Sequence, residues 1–276
     1  MKYCRYLSPS GVVRYAIVER QDGVLWATRP MVAPEEDLGA RLTSLEEHST
    51  EAFHAAPLAS LSLLPPVTPS KIVCVGRNYS EHAAELGNEV PKEPLLFLKP
   101  PSSLLGVGRP IRLPELSKRV DYEGELAIVI GKRCRNIGPD ENVSQYIRGY
   151  TIVNDVTARD IQKSDGQWTR GKGWDTFCPV GPVVAVAGSE EIDPLAGEPV
   201  TVTTRLNGEV KQNGSTKDLI FPIDFLLRYI TAFTTLEPGD LIPTGTPAGV
   251  GRMQAGDTVE VEISGLGVLR NSCKAE

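Results

Sequence analysis

The 276-residue chain holds only three histidines, His48, His54 and His82. A metal site built mainly from imidazoles is excluded by that count, so a bound metal must rest mainly on oxygen ligands. Cysteine is also sparse: Cys4, Cys74, Cys134, Cys178 and Cys273 are odd in number, far apart and form no C-x-x-C. Such a set argues against a zinc ribbon and fits reduced thiols in a cytosol. A membrane span needs about 20 apolar residues, and apolar runs here are short, as in Leu126 to Ile130. No apolar segment follows Met1-Lys2-Tyr3-Cys4-Arg5-Tyr6, so no secretory signal is expected and the expected location is the cytoplasm. Lysine and arginine are scattered, singly or in pairs such as Lys132-Arg133, and the net charge is −6. The basic patch that grips a phosphate backbone is missing, so neither nucleic acid nor a membrane is an expected partner. Internal repeats and low-complexity tracts are absent as well.

What the chain does have is a hydrophobic content of 41%, enough for one large core or a core with a small satellite. It also has 26 glycines and 22 prolines, more turn residues than a helical protein tolerates. Residues 1–64 read as a small α+β N-terminal domain. Strands are expected at Val12 to Glu19 and Val24 to Thr28, around a Gln21-Asp22-Gly23 turn, with a helical stretch from Glu35 to His54. Residues 65–70 form a Pro-rich linker, since Pro65, Pro66 and Pro69 cannot continue a helix or a central strand. Residues 71–276 read as a mainly β domain with short helices. Its expected strands include Lys71 to Val75, Glu125 to Gly131, Tyr150 to Val153, a hairpin around Asn207-Gly208, and Val259 to Ile263. Helices are expected at Ser80 to Leu86 and Phe225 to Phe233.

Five constellations could carry chemistry. In Asp121-Tyr122-Glu123-Gly124-Glu125, positions i and i+2 of a strand share a face, about 7 Å apart. Glu123 and Glu125 would repel unless a proton or cation lies between them, and a hard divalent cation such as Mg²⁺ suits oxygen ligands. A solvated acidic pair on an edge strand is the plainer alternative. Asp155 stands where a strand ends and a helix begins, with Arg159 and Gln162 at i+4 and i+7. It is either a third ligand or a helix cap paired with Arg159. Lys172, flanked by Gly171 and Gly173, could stabilise an oxyanion or lie in a surface loop. His82 and Glu85, at i and i+3 of a short helix, could form a base and its orienting carboxylate, or a solvated pair. The loop Pro243 to Gly251 offers backbone amides and Thr246 to an anion.

Taken together and in order, GRNYSEHAAELG, FLKP, YEGELAIVIGK, NDVTARDIQ, GKGWDTFCPVGP, RLNGEV and TGTPAGVG closely resemble the fumarylacetoacetate hydrolase superfamily over residues 71 to about 270. The resemblance implies a β-rich roll, often dimeric. It implies Mg²⁺ or Mn²⁺ on Glu123, Glu125 and Asp155, and Lys172 as the active-site lysine. His82 and Glu85 match the dyad of its hydrolytic members, and Arg159, Gln162 and Thr246 match substrate-contacting positions. QNGSTKDLIF, residues 212–221, fits the pattern only loosely and supplies no site residue. The activity so implied is hydrolysis of a C–C bond in a 2,4-dioxo acid, an acylpyruvate such as fumarylpyruvate or acetylpyruvate. His82 would activate water, and a pyruvate enolate would be stabilised by the metal and Lys172. Oxaloacetate decarboxylation, or isomerisation of 2-hydroxyhepta-2,4-diene-1,7-dioate on the same site, is the alternative. The expected partners are the small oxo acid and, as a homodimer, a second copy of the chain.

Overall fold

The computed structural model describes residues 1–46, 52–85, 90–188, 192–195 and 199–276, the side chains of 43–46 and 82–84 excepted. The protein is mainly β with short helices. A twelve-stranded sheet runs, edge to edge along its main path, through Ala56–Pro57, Val24–Met31, Val13–Gln21, Lys2–Leu7, Cys178–Val186, Ile147–Asn154, Gly124–Ile130, Leu241–Pro243, Ile72–Gly76 and Leu95–Lys99. A five-stranded sheet joins Glu209–Ser215, Thr201–Leu206, Thr258–Ile263, Gly267–Ala275 and Ile111–Leu113. Three short strands, Thr157–Ala158, Val120–Tyr122 and Gly251–Met253, form a third sheet.

The strand Gly124–Ile130 is central and every residue in it is buried. A strand buried on both faces reads as a continuous apolar run, which is why Leu126 to Ile130 shows no polar alternation. Leu126, Ile128 and Ile130 enter one core with Tyr150, Ile152, Val261 and Leu226. Ala127 and Val129 enter the other, with Ile72, Val153, Val180 and Leu241. Gly124 shares the phase of Leu126 and presses against the five-stranded sheet. A Cβ there would lie 2.2 Å from Thr204 Oγ1 and 2.9 Å from Val261 Cγ1, so only glycine fits between the two glutamates. Glu125 takes the phase of Ala127 instead, and its end of the strand faces the site described below.

The N-terminal strands extend the same sheet: Lys2 and Tyr3 pair with Ala185 and Val184. The expected first hairpin is present as Val13–Gln21 and Val24–Met31, with Asp22 and Gly23 at positive φ in the turn. The expected helix from Glu35 is shorter. It spans Leu38–Glu46, its expected continuation over 47–51 lies outside the described residues, and His54 is in a non-helical segment. Helix Ile223–Phe233 starts after Pro222, where a missing N–H costs nothing, and buries Ile223, Leu226, Leu227 and Ile230 against the core. Helix Ser80–Glu85 follows strand Ile72–Gly76; residues 86–89, where Leu86 and the expected stop fall, lie outside the described residues. No helix of the described residues is long and apolar enough to cross a membrane.

Candidate active site

Two strand ends build the centre. Gly124 pairs with Asn154 across the sheet, so the residues just outside that pair, Glu123 and Asp155, are neighbours. The Asp155 N–H donates to Glu123 O at 2.8 Å, and the Glu123 N–H donates to Asn154 Oδ1 at 2.9 Å. These bonds lock the chain where both carboxylates leave it. Glu123, Glu125 and Asp155 each present a carboxylate oxygen within 4.8 Å of the others. All three are buried, Asp155 at 1% exposure.

Buried carboxylates at such a spacing need positive charge around them. Lys172 Nζ donates to Glu123 Oε2 at 2.8 Å and to Asp155 Oδ2 at 2.6 Å. Lys99 Nζ holds the other oxygen of Asp155 at 2.6 Å and also the Val156 carbonyl at 3.1 Å. Arg159 pairs with Glu123 through Nη2 and with Asp121 through Nε, the latter at 2.9 Å. Glu125 differs. It accepts the Gly245 N–H at 2.8 Å, and among the described residues it has no ion-pair partner. Burial, then the Asp155 and Glu123 charges, push its carboxyl well above the usual carboxylate range. For Lys172, burial works against the ammonium, but Asp155 and Glu123 outweigh it and raise the pKa. The two carboxylates thus favour the ammonium form of Lys172.

The sequence-derived residues fall into two groups. Glu123, Glu125, Asp155, Lys172, Arg159 and Gln162 form one buried network, Arg159 Nη1 donating to Gln162 Oε1 at 2.7 Å. Asp155 is not a helix cap. The helix begins four residues later, at Arg159–Asp165, with no side-chain cap, and Asp155 is held by the two lysines instead. Lys172 is not in a surface loop either: it ends the short helix Thr169–Lys172 and is 2% exposed. Thr246 braces the site from behind, its hydroxyl donating to Gly124 O at 2.9 Å and accepting from Gln212 Nε2 at 2.8 Å. Glu85 is exposed and accepts the Gly249 N–H at 3.1 Å, which ties helix Ser80–Glu85 to the Thr244–Gly251 loop. The His82 side chain lies outside the described residues.

Sequence reasoning missed Lys99, Asp121 and Gln212. Lys99 lies in FLKP and closes the strand Leu95–Lys99 just before Pro100. Asp121, completely buried, receives Arg119 and Arg159 together. Gln212, in the segment that supplied no candidate, accepts the Gly124 N–H at 3.0 Å and donates to Pro247 O at 2.8 Å.

The donor set fits a hard divalent cation. It offers three carboxylates, no thiol and no imidazole, and Glu125 is aimed into it without a counter-ion.

The model of the fumarylacetoacetate (FAA) hydrolase C-terminal family matches residues 71–274. A mitochondrial oxaloacetate tautomerase of Xenopus laevis is 43% identical over 228 residues, covering 79% of this chain and 70% of that protein. Among solved structures, a 2-hydroxyhepta-2,4-diene-1,7-dioate isomerase from Mycobacterium marinum is 41% identical, with a TM-score of 0.81, covering 100% of this chain and 99% of its own. A fumarylpyruvate hydrolase from Pseudomonas aeruginosa, solved with Mn²⁺ and pyruvate, is 31% identical with a TM-score of 0.68, covering 78% of this chain and 92% of its own.

Proposed function

The chain belongs to the fumarylacetoacetate hydrolase family, and from that premise we propose a divalent-metal-dependent enzyme that moves a proton on a small 2-oxo acid, interconverting its keto and enol forms. The observation that carries this is the buried convergence of Glu123, Glu125 and Asp155 beside the Lys172 ammonium. Glu123, Glu125 and Asp155 would hold Mg²⁺ or Mn²⁺. The cation, when bound, supplies Lewis acidity toward the substrate's 2-oxo oxygen.

The other residues divide the remaining work. Lys172, kept charged by its carboxylates, donates a hydrogen bond to the oxygen on which enolate charge develops. Arg159 and Gln162 present N–H groups to the substrate carboxylate, with Arg159 held in plane by Asp121. Gly245 fixes Glu125, and the Gln212–Thr246 brace fixes Gly124, so the charge-bearing groups are preorganised and need not reorient. None of this requires an attacking water. A tautomerase and an isomerase among the relatives, at 43% and 41% identity, support that reading.

The second reading is hydrolysis of an acylpyruvate at its C3–C4 bond. It is favoured by Glu85 on helix Ser80–Glu85, next to the position of His82, and by the hydrolase relative. In that reaction His82, oriented by Glu85, takes the proton from water.

The test is a substrate panel with and without chelator. Oxaloacetate enol decay, acetylpyruvate loss and fumarylpyruvate loss are followed by absorbance. All turnover stops in EDTA and returns with Mg²⁺ or Mn²⁺. His82→Ala lowers acylpyruvate hydrolysis by about 10²–10⁴ while enol–keto exchange keeps most of its rate. Full turnover in chelator, or none on any substrate with metal, overturns the proposal.

A further inference from the structure

The strand Leu95–Lys99 sends alternate side chains to one face, so Phe97 and Lys99 point the same way. Lys99 Nζ reaches Asp155 Oδ1. Phe97 reaches Lys172, whose ammonium stands over the ring, 4.8 Å from its centroid. A second ring joins the first. Trp168 meets Phe97 edge to face, with centroids 5.1 Å apart at 64°, and its ring lies 6.0 Å from the same ammonium. Trp168 stands at the entry to helix Thr169–Lys172, and its carbonyl accepts the Lys172 N–H at 2.9 Å, so ring and ammonium belong to one turn. The ring is seated on Gly76, where a Cβ would lie 2.8 Å from it, just before Arg77 turns left-handed at φ 55°.

The carboxylate contacts of that ammonium raise a question of occupancy. Glu123 and Asp155 have four oxygens between them, and a cationic side chain holds each one. Arg159 holds Glu123 Oε1, and Lys99 holds Asp155 Oδ1. Lys172 holds the other two, Glu123 Oε2 at 2.8 Å and Asp155 Oδ2 at 2.6 Å. A divalent cation on Glu123, Glu125 and Asp155 draws on the same oxygens and repels an ammonium this close to them. Arg159 and Lys99 are tied down elsewhere, to Asp121 and to Val156 O. Lys172 alone bridges the two carboxylates, so it is the side chain that yields.

We propose that Phe97 and Trp168 are a second seat for the Lys172 ammonium, which leaves Glu123 and Asp155 to a divalent cation and stays in the site by cation–π attraction. This rests on the metal-site reading above and deepens it. Phe97, the nearer ring, is a positioning residue that acts through Lys172. The ammonium is already within range of both rings, so it exchanges carboxylates for π faces without crossing the pocket. A purely aliphatic wall would not serve, because a buried ammonium released from its carboxylates carries a desolvation cost that a π face partly offsets. The move belongs to cation loading. Once it is made, the rings keep the donor in the site, where its N–H groups turn to the substrate's oxygen.

The experiment is a double-mutant cycle of Phe97→Leu and Lys172→Met, read by Mn²⁺ calorimetry. Phe97→Leu keeps an apolar side chain and removes the ring. It weakens Mn²⁺ binding about 3–30-fold, the range of one cation–π contact. In the Lys172→Met background the same change alters Mn²⁺ affinity by less than about twofold, because no ammonium needs the seat. Phe97→Tyr, which keeps a ring, binds Mn²⁺ as wild type does. Lys172→Gln takes the place of Lys172→Met if that variant does not fold. The second measurement leaves Phe97 unchanged and so covers a Phe97 variant that does not fold. With Trp26→Phe and Trp174→Phe, Trp168 is the one tryptophan left of three. Mg²⁺ then shifts its emission when Lys172 is present and not in Lys172→Met. An equal loss from Phe97→Leu in both backgrounds, or the same Mg²⁺-induced emission change with and without Lys172, overturns the assignment. If wild type binds neither Mn²⁺ nor Mg²⁺, the metal-site reading itself fails, and the second seat falls with it.

Discussion

Lys99 and Lys172 divide the two oxygens of Asp155 between them, one lysine to each. Lys172 comes from a helix beside the pocket, and Lys99 from the last residue of an edge strand. Only Lys99 also grips the backbone, at Val156 O. It therefore ties the carboxylate to the peptide that follows it and fixes which way Asp155 faces. Lys99→Met keeps the volume and deletes the charge, leaving a buried carboxylate with one cation fewer. Breaking a buried pair from one side costs about 3–5 kcal/mol, so denaturant unfolding should show that loss, partly restored by Mn²⁺. A loss under about 1 kcal/mol would mean that Lys99 does not hold the carboxylate. At this scale the sequence was readable where chemistry repeats at a fixed spacing. Glu123 and Glu125 announce themselves through strand phase, and Asp155 through its place after an apolar strand. Lys99 and Asp121 were not readable, because nothing local separates a buried lysine or aspartate from a solvated one. Their burial is set by strands distant in the chain.

Among the elements, Gly124–Ile130 decides the most. Its phase sends Glu125 to the site and Gly124 into Thr204 and Val261 of the second sheet. Gly124→Ala must either push those side chains back or twist the strand. Overpacking of this kind costs about 1–3 kcal/mol, and here the displaced residue lies between two of the three carboxylates. The expected result is a lower melting temperature together with weaker Mn²⁺ binding by calorimetry. Lost stability with unchanged metal affinity would show that the strand's position and the centre are independent. Elements with a clean pattern were legible in advance: the Asn207-Gly208 hairpin and the Ile223–Phe233 helix both stand where expected. Strand Cys178–Val186 was not, since Pro179 and Pro182 within it are signals against a strand. It is tolerated because the pairing passes it from Ile147–Asn154 to Lys2–Leu7, with a register shift on the Ile147–Asn154 side. The left-handed Arg77 had no sequence signal at all, for arginine is not a residue that favours that conformation.

For the whole molecule, the resemblance that led to the site also implies a homodimer through residues 71–276. Strand Leu95–Lys99 ends the large sheet with Leu98 58% exposed, and exposed edges of this kind are commonly covered. Sedimentation at micromolar concentration should give twice the chain mass, and a monomer there would refute the dimer. The five cysteines have a consequence of another kind. All are buried, and burial pushes the thiols of Cys4, Cys178 and Cys273 up to about 12 and that of Cys134 to about 11. At neutral pH a thiol at about 12 is ionised to only about one part in 10⁵. The native protein is thus nearly silent toward alkylating reagents, and each cysteine gains reactivity only when its own strand or loop comes apart. Cys4 on the first strand, Cys134 near the helix Ile223–Phe233 side and Cys178 beside the carboxylates are spread widely enough to act as separate clocks, timing in one labelling experiment which part of the molecule opens first.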